Sequence, residues 1–216
     1  MKINMETLPR AMRALSVDER GYPVPWFVDW MGGKPEFRAM DPRKWVQAIQ
    51  KRLCWVCGGA LGISKCFVAG PMCGINRTSS EPPCHPECAR WSAQNCPFLA
   101  NPSMVRREDD LINNQTLRDR AAGKALTRNP GVAMLWFTRS YEVFNDGQGR
   151  PIITMGNPLA VEWYCEGRIA TRAEVEDSIA GGLPSLEAIA RTEDGGIDAL
   201  RKYIDRFSKW LPEAVA

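Results

Sequence analysis

Two cysteines separated by two residues, with two glycines behind them, limit the folding of this chain more than any other feature. The stretch is Cys54-Trp55-Val56-Cys57-Gly58-Gly59. Two thiolates alone do not close a tetrahedron around a metal. The missing donors are found in Pro82-Pro83-Cys84-His85-Pro86-Glu87-Cys88. His85 and Cys88 stand at i and i+3, so both fall on one side of a first helical turn. The complete pattern is Cys54-x2-Cys57-Gly-x26-His85-x2-Cys88. Three thiolates and one imidazole satisfy zinc's tetrahedral preference. Cys84 competes with His85, because Cys84 and Cys88 at i and i+4 also share a helix face, and an all-thiolate site results. His85 is preferred: its two-residue gap to Cys88 repeats the first corner, and it is the only histidine present.

The other cysteines bear on compartment. The chain holds eight. The N-terminal stretch MKINMETLPRAMRAL has neither an unbroken apolar core nor a small-residue cleavage site, so it does not read as a secretion signal. No run of eighteen apolar residues exists, and no membrane association is expected. A cytoplasmic location follows, where thiols stay reduced and cysteines serve metals before disulfides. Cys66, Cys73, Cys96 and Cys165 are left over. Cys66 and Cys73 with Cys84 and Cys96 offer a second site. A Cys66–Cys73 disulfide is an alternative, and buried thiols acting as small apolar side chains are the plainest reading. No tight CxxCxxC run supports an iron–sulfur cluster.

At 216 residues, 44% hydrophobic and 25% charged, the chain has the composition of a folded globular protein. Eight tryptophans are spread over its whole length, so most of it is expected to join packed structure. Residues 22–40 read as a hairpin turning at Met31-Gly-Gly-Lys-Pro35. Asp41 caps a following helix with Pro42 at its first position, and that helix delivers the chain into Cys54. Residues 65–77 read as a second hairpin around Gly70-Pro71, with Cys66 and Cys73 on opposite arms. A helix starts near Cys88 and stops before Pro97. Residues 101–129 are polar and charged and read as partly helical. Residues 132–144 form the strongest strand signal, turned by Asn145-Asp-Gly-Gln-Gly149 and answered by Arg150–Met155. A third strand covers 159–167. Thr171 to Glu174 is a capping box, Pro184 starts another short helix, and the last helix lines up Ile197, Leu200, Ile204, Phe207 and Leu211. The expected class is α+β: β-hairpins and a small antiparallel sheet, flanking helices and a zinc-binding insert. Three regions are expected, 1–41, 42–100 and 101–216, packed together as one domain.

The order CxxCG, hairpin, then a helix whose first turn carries HxxC resembles a treble-clef zinc finger over residues 53–96. The resemblance implies one Zn2+ on Cys54, Cys57, His85 and Cys88. The phrasing RLCWVCG…GPMC…NR…EPPCH is also similar to bacterial and phage proteins to which no function is attached.

A closed Cys3His set leaves zinc no open position for water, so the expected role is structural. The treble clef also underlies HNH nucleases, which need a general-base histidine on the hairpin. The stretch CFVAGPMCGINR has none, and Asn76 alone cannot activate water, so a degenerate HNH nuclease is a remote alternative. Glu81 and Glu87 read as solvated carboxylates. There is no GxGxxG or GxxxxGK[ST]. Arg106-Arg-Glu-Asp-Asp110 reads as a solvated helix surface.

The remaining signal is charge. Net charge is only +3, but residues 34–91 carry nine Lys/Arg against four Asp/Glu, and residues 161–216 carry seven against eleven. Lys51, Arg52, Lys65, Arg77 and Arg90, interleaved with Trp45, Trp55 and Trp91, have the composition of a DNA- or RNA-binding surface. The same tryptophans also suit a small core around the metal. The expected function is a non-enzymatic, zinc-stabilised nucleic-acid-binding protein. A protein-interaction module or homodimer using the acidic helical tail is the alternative.

Overall fold

The computed structural model describes residues 5–101, 129–147 and 149–213. It is an α+β protein of small antiparallel sheets with flanking helices. The first hairpin forms as expected, from β1 (Val28–Met31) and β2 (Lys34–Met40), turning at Gly32 and Gly33. Both glycines have positive φ, 57° and 78°, which a two-residue hairpin turn demands. Asp41 then caps α1 (Pro42–Lys51), its carboxylate accepting from the Arg43 backbone N–H at 2.9 Å.

The centre of the molecule is a four-stranded sheet in the order β3 (Lys65–Ala69), β5 (Ala133–Thr138), β8 (Pro158–Cys165) and β9 (Arg168–Ile169). Every residue of β5 is buried, because the strand is covered on both faces. Side chains alternate along it. Ala133, Leu135 and Phe137 face a cluster with Cys54, Trp55, Cys66, Cys88 and Trp91. Met134 and Trp136 face a second cluster with Phe67, Trp163, Val175, Leu200 and Phe207. The first cluster lies beneath the cysteine-rich region and α3 (Pro86–Asn95). The second lies beneath α2 (Pro71–Asn76), α4 (Arg172–Ala190) and α5 (Gly196–Ser208). The sheet thus connects the cysteine-rich layer to the C-terminal helices.

Three local expectations are corrected. The hairpin over 65–77 does not form. Its first arm is β3, but the chain from Pro71 onward is the short helix α2, so Cys66 and Cys73 do not lie on opposing strands. Pro71 sits at the first helical position, where its missing N–H costs nothing, and β3 pairs instead with β5. The strand signal over 132–144 is two strands in two sheets: β5, and β6 (Tyr141–Asn145), which pairs with β7 (Pro151–Met155). The break comes after Thr138, whose hydroxyl donates to Ser140 or Asn157 carbonyls at 3.1 and 3.0 Å and accepts from the Ser140 N–H. That side chain takes over the backbone's ladder role and bends the chain. Finally, Pro184 starts no helix, because α4 runs through it. An interior proline costs about 3 kcal/mol. Here tertiary packing outweighs it, with Gly182 letting α4 close onto Met72 of α2.

The capping box at Thr171 forms, and Leu200 and Phe207 are buried as the helical stripe requires. β4 (Thr78–Ser79) completes the three-stranded sheet β4-β7-β6. The helical reading of 101–129 and the run 106–110 lie outside the described residues, apart from Asn101 and Asn129. No described helix is long and apolar enough to cross a membrane.

Candidate metal centre

α1 stops at Arg52, which takes a left-handed conformation with φ 52°. That reversal turns the chain into a tight loop. Leu53 bridges Ala60, the Cys54 N–H donates to the Gly59 carbonyl at 2.7 Å, and the Leu61 N–H donates to the Arg52 carbonyl at 2.8 Å. Gly58 at φ 73° makes the turn, and its Cα lies against the Trp26 ring. Within the loop, backbone N–H groups point at sulfur. Cys57 N–H donates to Cys54 Sγ at 3.5 Å, and Gly59 N–H donates to Cys57 Sγ at 3.4 Å. Such donors stabilise a thiolate, which a metal site requires.

The second half of the site is fixed by backbone pairing rather than by a hairpin. Cys66 and Cys84 exchange two backbone hydrogen bonds at 2.9 and 2.7 Å, and the Trp55 N–H donates to the Pro83 carbonyl. His85 is then the N-cap residue of α3, with Pro86 at the first helical position and Cys88 in the first turn. The His85 N–H donates to Cys54 Sγ at 3.3 Å, joining the two halves.

Cys54, Cys57, His85 and Cys88 each bring one donor atom, and all four atoms lie within 4.8 Å of one another. His85 Nδ1 is 3.4 Å from Cys57 Sγ and 3.9 Å from Cys88 Sγ. Zn–S of about 2.3 Å and Zn–N of about 2.05 Å in a tetrahedron imply an N···S edge of about 3.6 Å. The observed pair brackets that edge. The ring orientation is set as well. His85 Nε2 is 2.9 Å from the Ala60 carbonyl, which can only accept, so Nε2 carries the hydrogen. The lone pair therefore stays on Nδ1, facing the three sulfurs. Donating the far ring nitrogen to a carbonyl is how metal-ligating histidines are held.

The electrostatics of the sulfurs agree. Hydrogen bonds from the thiols of Cys57, Cys84 and Cys88 hold the Cys54 thiol far below its ordinary range. The same bonds, taken with burial, push Cys57, Cys84 and Cys88 up. Thiols that ligate a metal must give up their protons, so any metal binding here is coupled to proton release. Cys84, the rival ligand, is not among the four. Its buried thiol bonds the Cys54 sulfur from outside the set.

The other thiols are not gathered. Among the described residues no second group of donors forms, and all eight cysteines are free. Burial pushes Cys73 and Cys165 up to about 11, and Cys66 higher still. These are inert thiols of the core. The tryptophans nearby are also core: Trp55 stacks on Phe27 with centroids 4.9 Å apart, and Trp91 lies on the buried face of α3.

Three of the five cations expected to meet nucleic acid are engaged elsewhere. Lys65 is buried, and its ammonium reaches the carbonyls of Gly62, Ile63 and Arg139 at 3.0–3.2 Å. Arg90 forks onto Glu162 at 2.7–3.1 Å and lies over the Phe137 ring. Arg77 donates to the Met155 carbonyl and to Asn157. Lys51 and Arg52 are exposed at the end of α1, beside the metal loop. The Ala60 carbonyl, the Gly59 N–H and the Cys84 thiol all support the site, yet only the glycine pair after Cys57 signals any of this in sequence. Against known proteins, no family model, curated protein or solved structure matches the chain.

Proposed function

We propose that Cys54, Cys57, His85 and Cys88 hold one structural Zn2+, and that the protein is a non-enzymatic binding protein of a reducing compartment, stapled by this ion. The observation that carries the metal is the His85 ring, anchored through Nε2 to Ala60 with Nδ1 turned to three sulfurs. Zinc is favoured over harder cations because three of four donors are thiols. A set of four protein ligands is closed, so the ion supplies stability, not activated water. The succession of metal loop, strand and ligand-bearing helix supports the treble-clef resemblance, with an excursion containing α2 in place of the hairpin. Native mass spectrometry tests the metal: one zinc per chain is expected, lost in Cys57→Ser together with a lower melting temperature.

The partner we propose is nucleic acid, met through phosphate at the Lys51–Arg52 corner. Of the five expected cations only Lys51 and Arg52 stand at this corner, so the contact is small. Neutralising about two phosphates gives a slope of about −2 in log K against log salt. A gel-shift salt series with duplex and single-stranded DNA or RNA should show that slope, and Lys51→Glu with Arg52→Glu should abolish it. A salt-independent complex would instead favour a protein partner or a homodimer. One observation supports that second reading: Val143 and Phe144 are 40% and 45% exposed on β6, the edge strand of its sheet. Exposed apolar edge strands are templates for pairing.

A further inference from the structure

On the face of the sheet opposite the metal centre, a half-open cleft of about 210 Å³ lies between the end of α2, the start of β8 and the end of α5. Its floor is apolar, built from Ile75, Trp136 and Phe207, all buried. Its polar lining is one-sided. Arg77, Arg206 and Lys209 line it, and among the described residues no carboxylate does. The balance is notable because residues 161–216 are net acidic, with eleven Asp/Glu against seven Lys/Arg.

Several observations oppose a solely structural role for these cations. Lys202, Arg206 and Lys209 recur at i, i+4 and i+7, a like-charge spacing that Asp198 and Asp205, each four residues before a lysine, offset in part. The C-terminus of α5 favours nearby cations, as does that of α2, but each is worth about half a negative charge against three full positive ones. Arg77 comes from a different element; its Nη2 donates to the Met155 carbonyl and to Asn157, and its Nε is buried with no hydrogen-bond partner among the described residues. The aromatic rim holds the outer cations in place: Arg206 sits 5.4 Å over the Tyr203 ring and Lys209 sits 5.5 Å over Trp210.

We infer that this cleft binds a small organic anion, a phosphate monoester carried on a flat ring, with its head on Arg206 and Lys209, beside the already paired Arg77, and its ring against the apolar floor. At about 210 Å³ the cleft is smaller than most small-molecule sites, which restricts it to a small ligand. The site is separate from the metal centre and independent of the nucleic-acid reading.

The test is calorimetry on the full zinc-loaded chain with adenosine monophosphate, phenyl phosphate, inorganic phosphate, adenosine and a single-stranded decanucleotide. The two aromatic monophosphates should bind, both more tightly than inorganic phosphate, and adenosine should not. Arg206→Gln and Lys209→Gln sit on the exposed rim and should fold normally. Each should weaken binding about tenfold, the worth of one charge-assisted hydrogen bond. Zinc content should be unchanged in both. No heat with either monophosphate at millimolar concentration, equal binding of adenosine, binding of the decanucleotide alone, or unaltered affinity in both variants overturns the inference.

Discussion

Replacing Gly58 with alanine asks whether the metal loop has the tight geometry described. Gly58 adopts φ 73°, and an added Cβ would lie 2.7 Å from Cγ and Cδ1 of Trp26. The left-handed conformation costs a non-glycine residue roughly 1–2 kcal/mol. The Trp26 ring cannot swing away freely, since it packs edge-on to Trp55 with centroids 6.4 Å apart. Overpacking of this kind adds about 1–3 kcal/mol. The sum is about 2–5 kcal/mol. For a chain of this length each kcal/mol moves the melting temperature by about 2–4 °C. Gly58→Ala should therefore melt about 4–20 °C below the parent in a calorimetric scan of the zinc-loaded protein. It should also bind zinc more weakly in a competition with a chromophoric chelator. Gly62→Ala is the control: it lies in the same loop, exposed, with open space where its Cβ would stand, and should melt within about 2 °C of the parent. If Gly58→Ala tracked the Gly62→Ala control in both assays, the account of the loop would be refuted.

Other predictions concern groups whose roles the structure separates. Lys65→Met should cost about 2 kcal/mol in urea unfolding, since three carbonyls lose a buried ammonium, while leaving nucleic-acid affinity unchanged. Glu174→Gln keeps an oxygen for the capping box of α4 but removes the carboxylate held by Arg168, and should cost about 1 kcal/mol at pH 7. Hydrogen bonds from Arg168, then from Thr171, hold the Glu174 carboxyl down to about 2, against an ordinary value of 4.5. Its stabilisation is thus complete above pH 4.5 and is lost as pH falls toward 2, so parent and variant should converge over that window in unfolding titrations. Arg90→Ala should lower stability through the lost Glu162 fork and Phe137 contact, and should leave the salt slope of any nucleic-acid complex unchanged.

The four-donor cluster was largely legible in the sequence because its signals are local. Spacing alone places Cys54 with Cys57 and His85 with Cys88, and Pro86 marks the helix start that orients the second pair. The preference for His85 over Cys84 followed from the repeated two-residue gap, and the four-donor group agrees with it. What joins the halves was not legible. The Cys66–Cys84 backbone bridge spans eighteen residues, and the Ala60 carbonyl that fixes the imidazole is a backbone atom with no sequence mark. Elsewhere the failures share one cause. Residues 65–77 and 132–144 carry strand-like composition, but where a strand ends was decided by Pro71 at a helix start and by the Thr138 hydroxyl, not by hydrophobicity. Charge composition does not reveal such long-range partners either. Lys65 and Arg90 counted toward a basic surface, yet their partners, the Arg139 carbonyl and the Glu162 carboxylate, lie more than seventy residues away in the chain.

X-ray absorption at the zinc edge of the purified protein addresses the central claim without intermediaries. A shell of three sulfurs at about 2.3 Å and one nitrogen at about 2.0–2.1 Å is the predicted result. Four sulfurs would put Cys84 in place of His85, and a protein that takes up no zinc at all would contradict the account outright.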